Sequence, residues 1–264
     1  MGFDTAALLD WYARVKRPLP WRATRDPYAL LVSEVMLQQT QAARVIPYYE
    51  AFLARFPDVA SLAAAPARDV LVAWSGLGYN RRALALQAAA RVVAERGWPD
   101  DLTELPGVGP YTAAAVGSFA WDRQEAAVDT NGRRVFERYD GVARGPAALA
   151  ARARAALPPG QAAGFNQAMM ELGATICRPR APRCGACPVG HGCAGGETSR
   201  RGSPARRFED TDRWARGRVV AALLEGNQPP REAIAGDRGE RVLAGLERDG
   251  LISRAADGAP QLPA

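Results

Sequence analysis

The chain has 264 residues, with 34 basic against 28 acidic side chains and a formal net charge of +6. At about 150 residues per domain this length predicts one large domain or two modest ones, able to bury roughly 70–75% of the unfolded surface without staples. A hydrophobic content of 48% with 23% charged residues excludes wholesale disorder, and no apolar run approaches the roughly 20 residues of a membrane helix. The first residues carry Asp4 and Asp10 and lack an apolar core; no signal peptide and a bacterial-type cytoplasmic location are the expectation. Lys16 is the only lysine, so the other 33 basic residues are arginines, and His191 is the only histidine. Arginine's planar fork suits phosphate, although a GC-rich genome produces the same excess. Chemistry that needs an active-site lysine has one carrier.

Helical periodicity runs from the N-terminus to about residue 176, with no run of alternating strands. Asp4–Lys16 sets Leu8, Leu9, Trp11, Tyr12 and Val15 on one face, and Arg17-Pro18-Leu19-Pro20 stops it. Asp26 as N-cap and Pro27 at the first position start a second helix that runs to about Gln39. Further helical patterns cover about 41–55, 67–75, 80–96, 111–121, 131–140, 146–156 and 161–176. A Cys/Pro/Gly-rich loop, 177–193, follows, and 195–211 reads as a basic linker. Two helices, 212–225 and 238–249, precede Leu251-Ile252, which is set to pair with the last residues as a ribbon around Asp257-Gly258. This pattern suggests a small winged-helix-like tail or an appendage without a role of its own.

The four cysteines, Cys177, Cys184, Cys187 and Cys193, lie in one stretch as C-x6-C-x2-C-x5-C. Such clustering points to a shared ligand. Disulfides rarely persist in a reducing compartment. The single C-x2-C pair and the compact loop leave zinc and an iron–sulfur cluster both open on chemistry alone.

This spacing, after the helix Phe165-Asn166-Gln167-Ala168-Met169-Met170-Glu171-Leu172-Gly173, resembles the cluster loop of the endonuclease III and MutY-type DNA glycosylases. The resemblance implies a mainly α, two-lobed helix–hairpin–helix glycosylase fold over about 1–194, with a structural 4Fe–4S cluster on those four cysteines. Arg178, Arg180 and Arg183 lie within the loop and face DNA phosphate in that reading. Leu105-Pro106-Gly107-Val108-Gly109-Pro110-Tyr111-Thr112 is a Gly-x-Gly turn before a helix, where backbone amides make an anion site. It is similar to the superfamily's hairpin, with Gly107 and Gly109 on the DNA backbone.

Three residues carry the chemistry in this reading. Asp129, in Val128-Asp129-Thr130-Asn131-Gly132, reads locally as an N-cap; its distance past the hairpin matches the superfamily's catalytic aspartate, which stabilises a cationic sugar. Glu34 sits in a helix apolar nearly all round, where a carboxyl is either paired, for instance with Arg22, or held protonated as a general acid. Ser33-Glu34-Val35-Met36-Leu37-Gln38-Gln39-Thr40-Gln41 resembles the adenine glycosylase branch, whose glutamate protonates the purine. Tyr111 stands where the lyase branch has a lysine; tyrosine has no amine for a Schiff base, so a hydrolytic, monofunctional enzyme is implied. It is expected to bond Asp129 or the sugar, or simply to pack.

The resemblance also implies that Trp21, Arg22 and Glu171 line the adenine pocket. Tyr79 wedges beside 8-oxoguanine, while Gln39 and Thr40 meet the opposite strand, and Arg81 and Arg82 hold flanking phosphates. The implied partner is double-stranded DNA carrying A:8-oxoguanine or A:G mispairs, bound by a monomer with no membrane contact. About 70 residues follow Cys193 and show no Nudix-like β pattern, and Asp129-Thr130-Asn131 departs from the branch's Asp-Gly-Asn. Both bear on 8-oxoguanine discrimination rather than on adenine excision. The competing readings are a thymine mismatch glycosylase of the same superfamily and a non-catalytic iron–sulfur DNA-binding regulator.

Overall fold

The computed structural model describes residues 2–195, 207–255 and 258–263. In chain order the helices are α1 (Thr5–Val15), α2 (Pro27–Leu37), α3 (Ala42–Arg55), α4 (Val59–Ala64), α5 (Ala67–Trp74), α6 (Arg81–Arg96) and α7 (Pro110–Trp121). There follow α8 (Thr130–Asp140), α9 (Pro146–Ala156), α10 (Ala162–Thr175), α11 (Asp212–Leu224), α12 (Arg231–Ile234) and α13 (Gly236–Arg248), then strands β1 (Ser253–Arg254) and β2 (Pro260–Gln261). The fold is mainly helical, as the periodicity predicts. Sequence reading misses α4 and α12, which are too short to show a period; α4 owes its start to a capping box between Asp58 and Ser61. Asp26 caps α2 as expected, accepting from the amides of Tyr28 and Ala29. At its other end α2 stops at Leu37 rather than near Gln39, because Gln39 turns left-handed with φ 57°.

The described residues form two compact units. The first comprises residues 2–34 and 108–195. Leu8, Trp11 and Tyr12 of α1 pack with Phe136 of α8 and Phe165 and Leu172 of α10 in one buried cluster. The Phe3 ring lies edge-on to Tyr139 at 4.9 Å and tilted to Phe136 at 5.5 Å. Buried Asn166 of α10 accepts from the amide of Ala127 and donates to Ser118 Oγ and the carbonyl of Glu125. It thus fixes the segment that delivers Asp129. Gly173 brings α10 onto the start of α8: a Cβ there would lie 2.5 Å from that of Asn131.

The second unit comprises residues 35–107, 207–255 and 258–263. Phe52 packs edge-on against Phe56 and Trp74, and the buried amide of Gln87 donates to the carbonyls of Leu62 and Ala65. Val219, Val220, Leu243, Leu246, Leu251 and Ile252 are buried in the C-terminal part of the same unit. Leu251 and Ile252 do not form the expected strand; the antiparallel ribbon begins one residue later, pairing Ser253 with Gln261 and Arg254 with Pro260. Most of the 195–211 linker, and Asp257 of the expected turn, lie outside the described residues. No described helix is long and apolar enough to cross a membrane.

Candidate active site and cysteine loop

Glu34 is 4% exposed, placed on α2 among buried Leu30, Leu31 and Val32. Burial raises its pKa from 4.5 to about 7; the Tyr111 hydroxyl, hydrogen-bonded to it, lowers it part of the way, and the Asp129 charge raises it. Tyr111 is pushed well above its ordinary range by burial and by the charges of Glu34 and Asp129. The Tyr111 hydroxyl is thus set against Glu34, and its oxygen lies 4.0 Å from Met170 Sδ. Among the described residues Glu34 meets no arginine in an ion pair: Arg22, the alternative, is committed to Glu171.

Asp129 is both the N-cap of α8 and a member of this group. Its Oδ1 accepts from the amide of Gly132 at 2.7 Å and its Oδ2 from Asn131 Nδ2 at 2.8 Å. Asn131 is itself held by Arg134, whose Nη2 donates to Asn131 Oδ1 and to the carbonyl of Gly173, both at 2.7 Å. Arg134 Nε donates to the carbonyl of Cys177 at 2.7 Å. A continuous hydrogen-bonded path thus runs from the Asp129 carboxylate to the cysteine loop. Sequence reasoning misses Arg134; its only signal is a position one helical turn past an N-cap.

Glu171 is 1% exposed and clamped by two arginines. Arg17 reaches it from Nε at 2.7 Å and Nη2 at 3.1 Å, and Arg22 from Nη2 at 2.7 Å. Burial pushes the carboxyl up, but these hydrogen bonds outweigh it and hold the pKa below the ordinary value. Arg22 also stacks over Tyr12, 5.3 Å from its ring centroid. Trp21 is buried beside this cluster in sequence. Arg17, read from sequence only as a helix stop, is a full partner.

Cys177, Cys184, Cys187 and Cys193 together line a cavity of about 840 Å³, with Val135, Leu172 and Val189 on its apolar side. Arg138 of α8 donates to Cys177 Sγ at 3.5 Å and to the carbonyls of Arg178 and Pro179. Burial, and the other three thiols nearby, push Cys187 up, partly offset by the Val189 amide. Among the described residues no three His, Cys, Asp or Glu side chains close on one point as the ligands of a single ion do. Thiols set around a cavity suit a cubane, which takes one thiolate per iron corner, better than they suit one tetrahedral zinc. Arg180 and Arg183 are exposed on this loop, while Arg178 is half-buried and donates to the carbonyl of Ala181.

The remaining sequence candidates lie in the second unit or at its edge. Gln39, Thr40 and Tyr79 line one cavity there, with Gly107 on its wall. Gly107 has φ 76°, and a Cβ would sit 2.7 Å from that of Ala85, so both torsion and space require glycine. Gly109 has an extended backbone and open space around it, and serves as the N-cap of α7 without a side-chain cap. Gly109 thus offers the first amides of α7 no side-chain acceptor of its own. Arg82 is not a free phosphate ligand. Its Nη1 caps α2 through the carbonyls of Val35, Met36 and Gln38, and its Nη2 takes that of Gly78. Lys16 is exposed at the end of α1.

Residues 32–159 match the model of the HhH-GPD superfamily base excision DNA repair proteins. The chain is 39% identical to the adenine DNA glycosylase of Mycolicibacterium smegmatis, covering 98% of this chain and 95% of that one. It is 42% identical to the adenine DNA glycosylase of Mycobacterium tuberculosis, covering 97% and 92%. Among solved structures, a thermostable thymine-DNA glycosylase superposes with a TM-score of 0.67 at 33% identity, covering 72% of this chain and 93% of its own.

Proposed function

Because the chain belongs to the HhH-GPD superfamily of base excision DNA repair proteins, we infer that it hydrolyses the N-glycosidic bond of adenine mispaired with 8-oxoguanine or guanine in duplex DNA. The observation that carries this reading is the pairing of a deeply buried Glu34, with pKa near 7, with an Asp129 fixed by two N–H donors. Glu34 delivers its proton to a ring nitrogen of the adenine, the C1′–N9 bond breaks, and the base leaves neutral. Asp129 faces the cationic sugar, and water adds at C1′, giving its surplus proton to the Glu34 carboxylate. Tyr111 holds the Glu34 carboxyl in orientation and offers no amine for a covalent sugar adduct. Glu171, neutralised by Arg17 and Arg22, and Trp21 belong to the wall that receives the flipped base. Gly107 and Gly109 present backbone amides to a phosphate.

Cys177, Cys184, Cys187 and Cys193 would hold a 4Fe–4S cluster, which orders the 177–193 loop when bound. We assign residues 1–194 to the glycosylase domain and 212–264 to a small winged-helix-like element, with 195–211 as linker. The test is single-turnover base release from A:8-oxoguanine, A:G and T:G duplexes. Adenine release from the first two is the expected result; release of thymine alone would transfer the chain to the activity named for its structural neighbour. Borohydride trapping of enzyme on DNA is expected to fail.

A further inference from the structure

The C-terminal segment, to which the sequence gives no role, supplies about a third of the residues lining a cavity of about 1360 Å³ in the second unit. Arg44, Arg81, Arg82, Arg213 and Arg216 line this cavity, and Asp249 is the one carboxylate among its described lining residues. Charge complementarity therefore selects an anionic occupant. Most of these guanidinium groups are already committed. Arg82 is used by backbone carbonyls, Arg44 donates to the carbonyl of Gly76, and Asp249 pairs with Arg216 and, at 3.8 Å, with Arg81.

Arg213 differs. Its guanidinium carbon lies 4.1 Å from the centroid of the Tyr79 ring, and Asp212 beside it is paired with Arg238 at 3.5 Å. Arg213 is exposed, and its N–H edge meets no carboxylate among the described residues. It also stands at the second position of α11, after the Thr211 cap, where a cation opposes the helix dipole. Helix stability does not explain an arginine there. Tyr79 is unusual as well: it is a bulky residue with φ 49°, and Gln39, across the same cavity, has φ 57°. Backbone strain held at two side chains that share one cavity marks a site rather than a packing solution.

We propose that residues 207–263 form a DNA-binding element in which Arg213, stacked on Tyr79, clamps the backbone phosphate beside the nucleotide that packs at Tyr79. Stacking orients the guanidinium plane, and its free edge then meets two phosphate oxygens in parallel. The inference rests on the reading that the protein holds a mispaired duplex for base release.

The test is fluorescence anisotropy with a duplex whose target adenosine, opposite 8-oxoguanine, carries a 2′-fluorine that resists cleavage. Binding is followed between 50 and 200 mM KCl, on the order of the range where phosphate contacts show. Arg213→Ala is expected to weaken binding roughly tenfold and to reduce the salt slope by about one phosphate, while its thermal stability stays equal to or above that of the wild type. Arg213→Lys keeps the slope and recovers only part of the affinity. Arg218→Ala, an exposed arginine of α11 outside the cavity, leaves both unchanged. Wild-type affinity and slope in Arg213→Ala overturn the clamp, as does an equal loss in Arg218→Ala. Wild-type adenine release, measured separately, tells which idea has failed. Release with no effect of Arg213→Ala removes the clamp alone; a wild type that neither binds nor releases removes both.

Discussion

Glu34→Gln separates the electrostatics of the buried carboxyl from its packing, because the amide keeps the shape and cannot titrate. A carboxyl whose pKa is raised from 4.5 to about 7 by folding favours the folded state fully below pH 4.5. That contribution is lost as pH rises through 7, since the unfolded chain then gives up its proton more readily than the folded one. At about 1.4 kcal/mol per pH unit, the loss between these limits is on the order of 3 kcal/mol. The variant is therefore expected to gain stability on the wild type as pH rises from 4.5 to 8, and to change little beyond. In urea unfolding followed at several pH values, any constant cost of the amide cancels from the slope of the difference. On the order of 6–12 °C in Tm accompanies it for a chain of this length. Base release should move the opposite way. The variant loses roughly 10²–10⁴-fold, and the wild-type chemical step falls tenfold per pH unit above about 7 as Glu34 deprotonates. A stability difference independent of pH would refute the burial argument. A wild-type rate flat through pH 8 would refute the general-acid role.

The path from Asp129 to the cysteine loop predicts that Arg134→Gln costs about 2–4 kcal/mol of stability by orphaning the carbonyls of Gly173 and Cys177. The same variant should slow base release more than it weakens DNA binding; equal losses in both would show only general unfolding. Gly107→Ala meets both a left-handed torsion and the Ala85 methyl, so a destabilisation of roughly 1–3 kcal/mol in urea is expected, with duplex affinity falling alongside. Unchanged stability would mean that the turn is not held as described. For the cysteines, purified wild type should carry close to four irons and four sulfides with a broad visible charge-transfer band, and Cys187→Ser should lose most of both. Stoichiometric zinc in place of iron would reverse the ligand assignment.

Glu34 is legible in the sequence because a charge inside a helix of Leu30, Leu31, Val32, Val35 and Met36 contradicts its surroundings, and such a contradiction has few physical resolutions. Its partner is not legible. Tyr111 reaches Glu34 only through the packing of α7 in the first unit, so local pattern leaves Asp129, the sugar and simple packing open and does not point to Glu34. Arg22 fails as the Glu34 partner for the same reason: Glu171, far away in sequence, takes its Nη2 at 2.7 Å. Arg134 and Arg138 are hidden in another way. In a chain whose basic residues are nearly all arginine, no single arginine stands out, and only geometry distinguishes a phosphate ligand from a backbone clamp. Arg82 illustrates the point, reading as the former and serving as the latter.

The N-cap reading of Asp129 and its catalytic reading compete in the sequence, yet the proposed mechanism uses both at once. A carboxylate that faces a transient cation must not rotate away or be drawn into a pair with one of 33 arginines. Capping meets the first demand, since the Gly132 amide fixes one oxygen at the helix start. The second is met by distance: Arg134 acts on Asp129 through Asn131, so its charge is delivered as one neutral N–H rather than as a direct salt bridge. Glu34 receives the contrary treatment, with a hydroxyl as its donor and apolar walls around it. In the proposed mechanism, two carboxyls of nearly identical intrinsic chemistry thereby take different jobs from what surrounds them. The departure from Asp-Gly-Asn at Thr130 leaves this intact, because the bonds that matter come from Asn131 and Gly132.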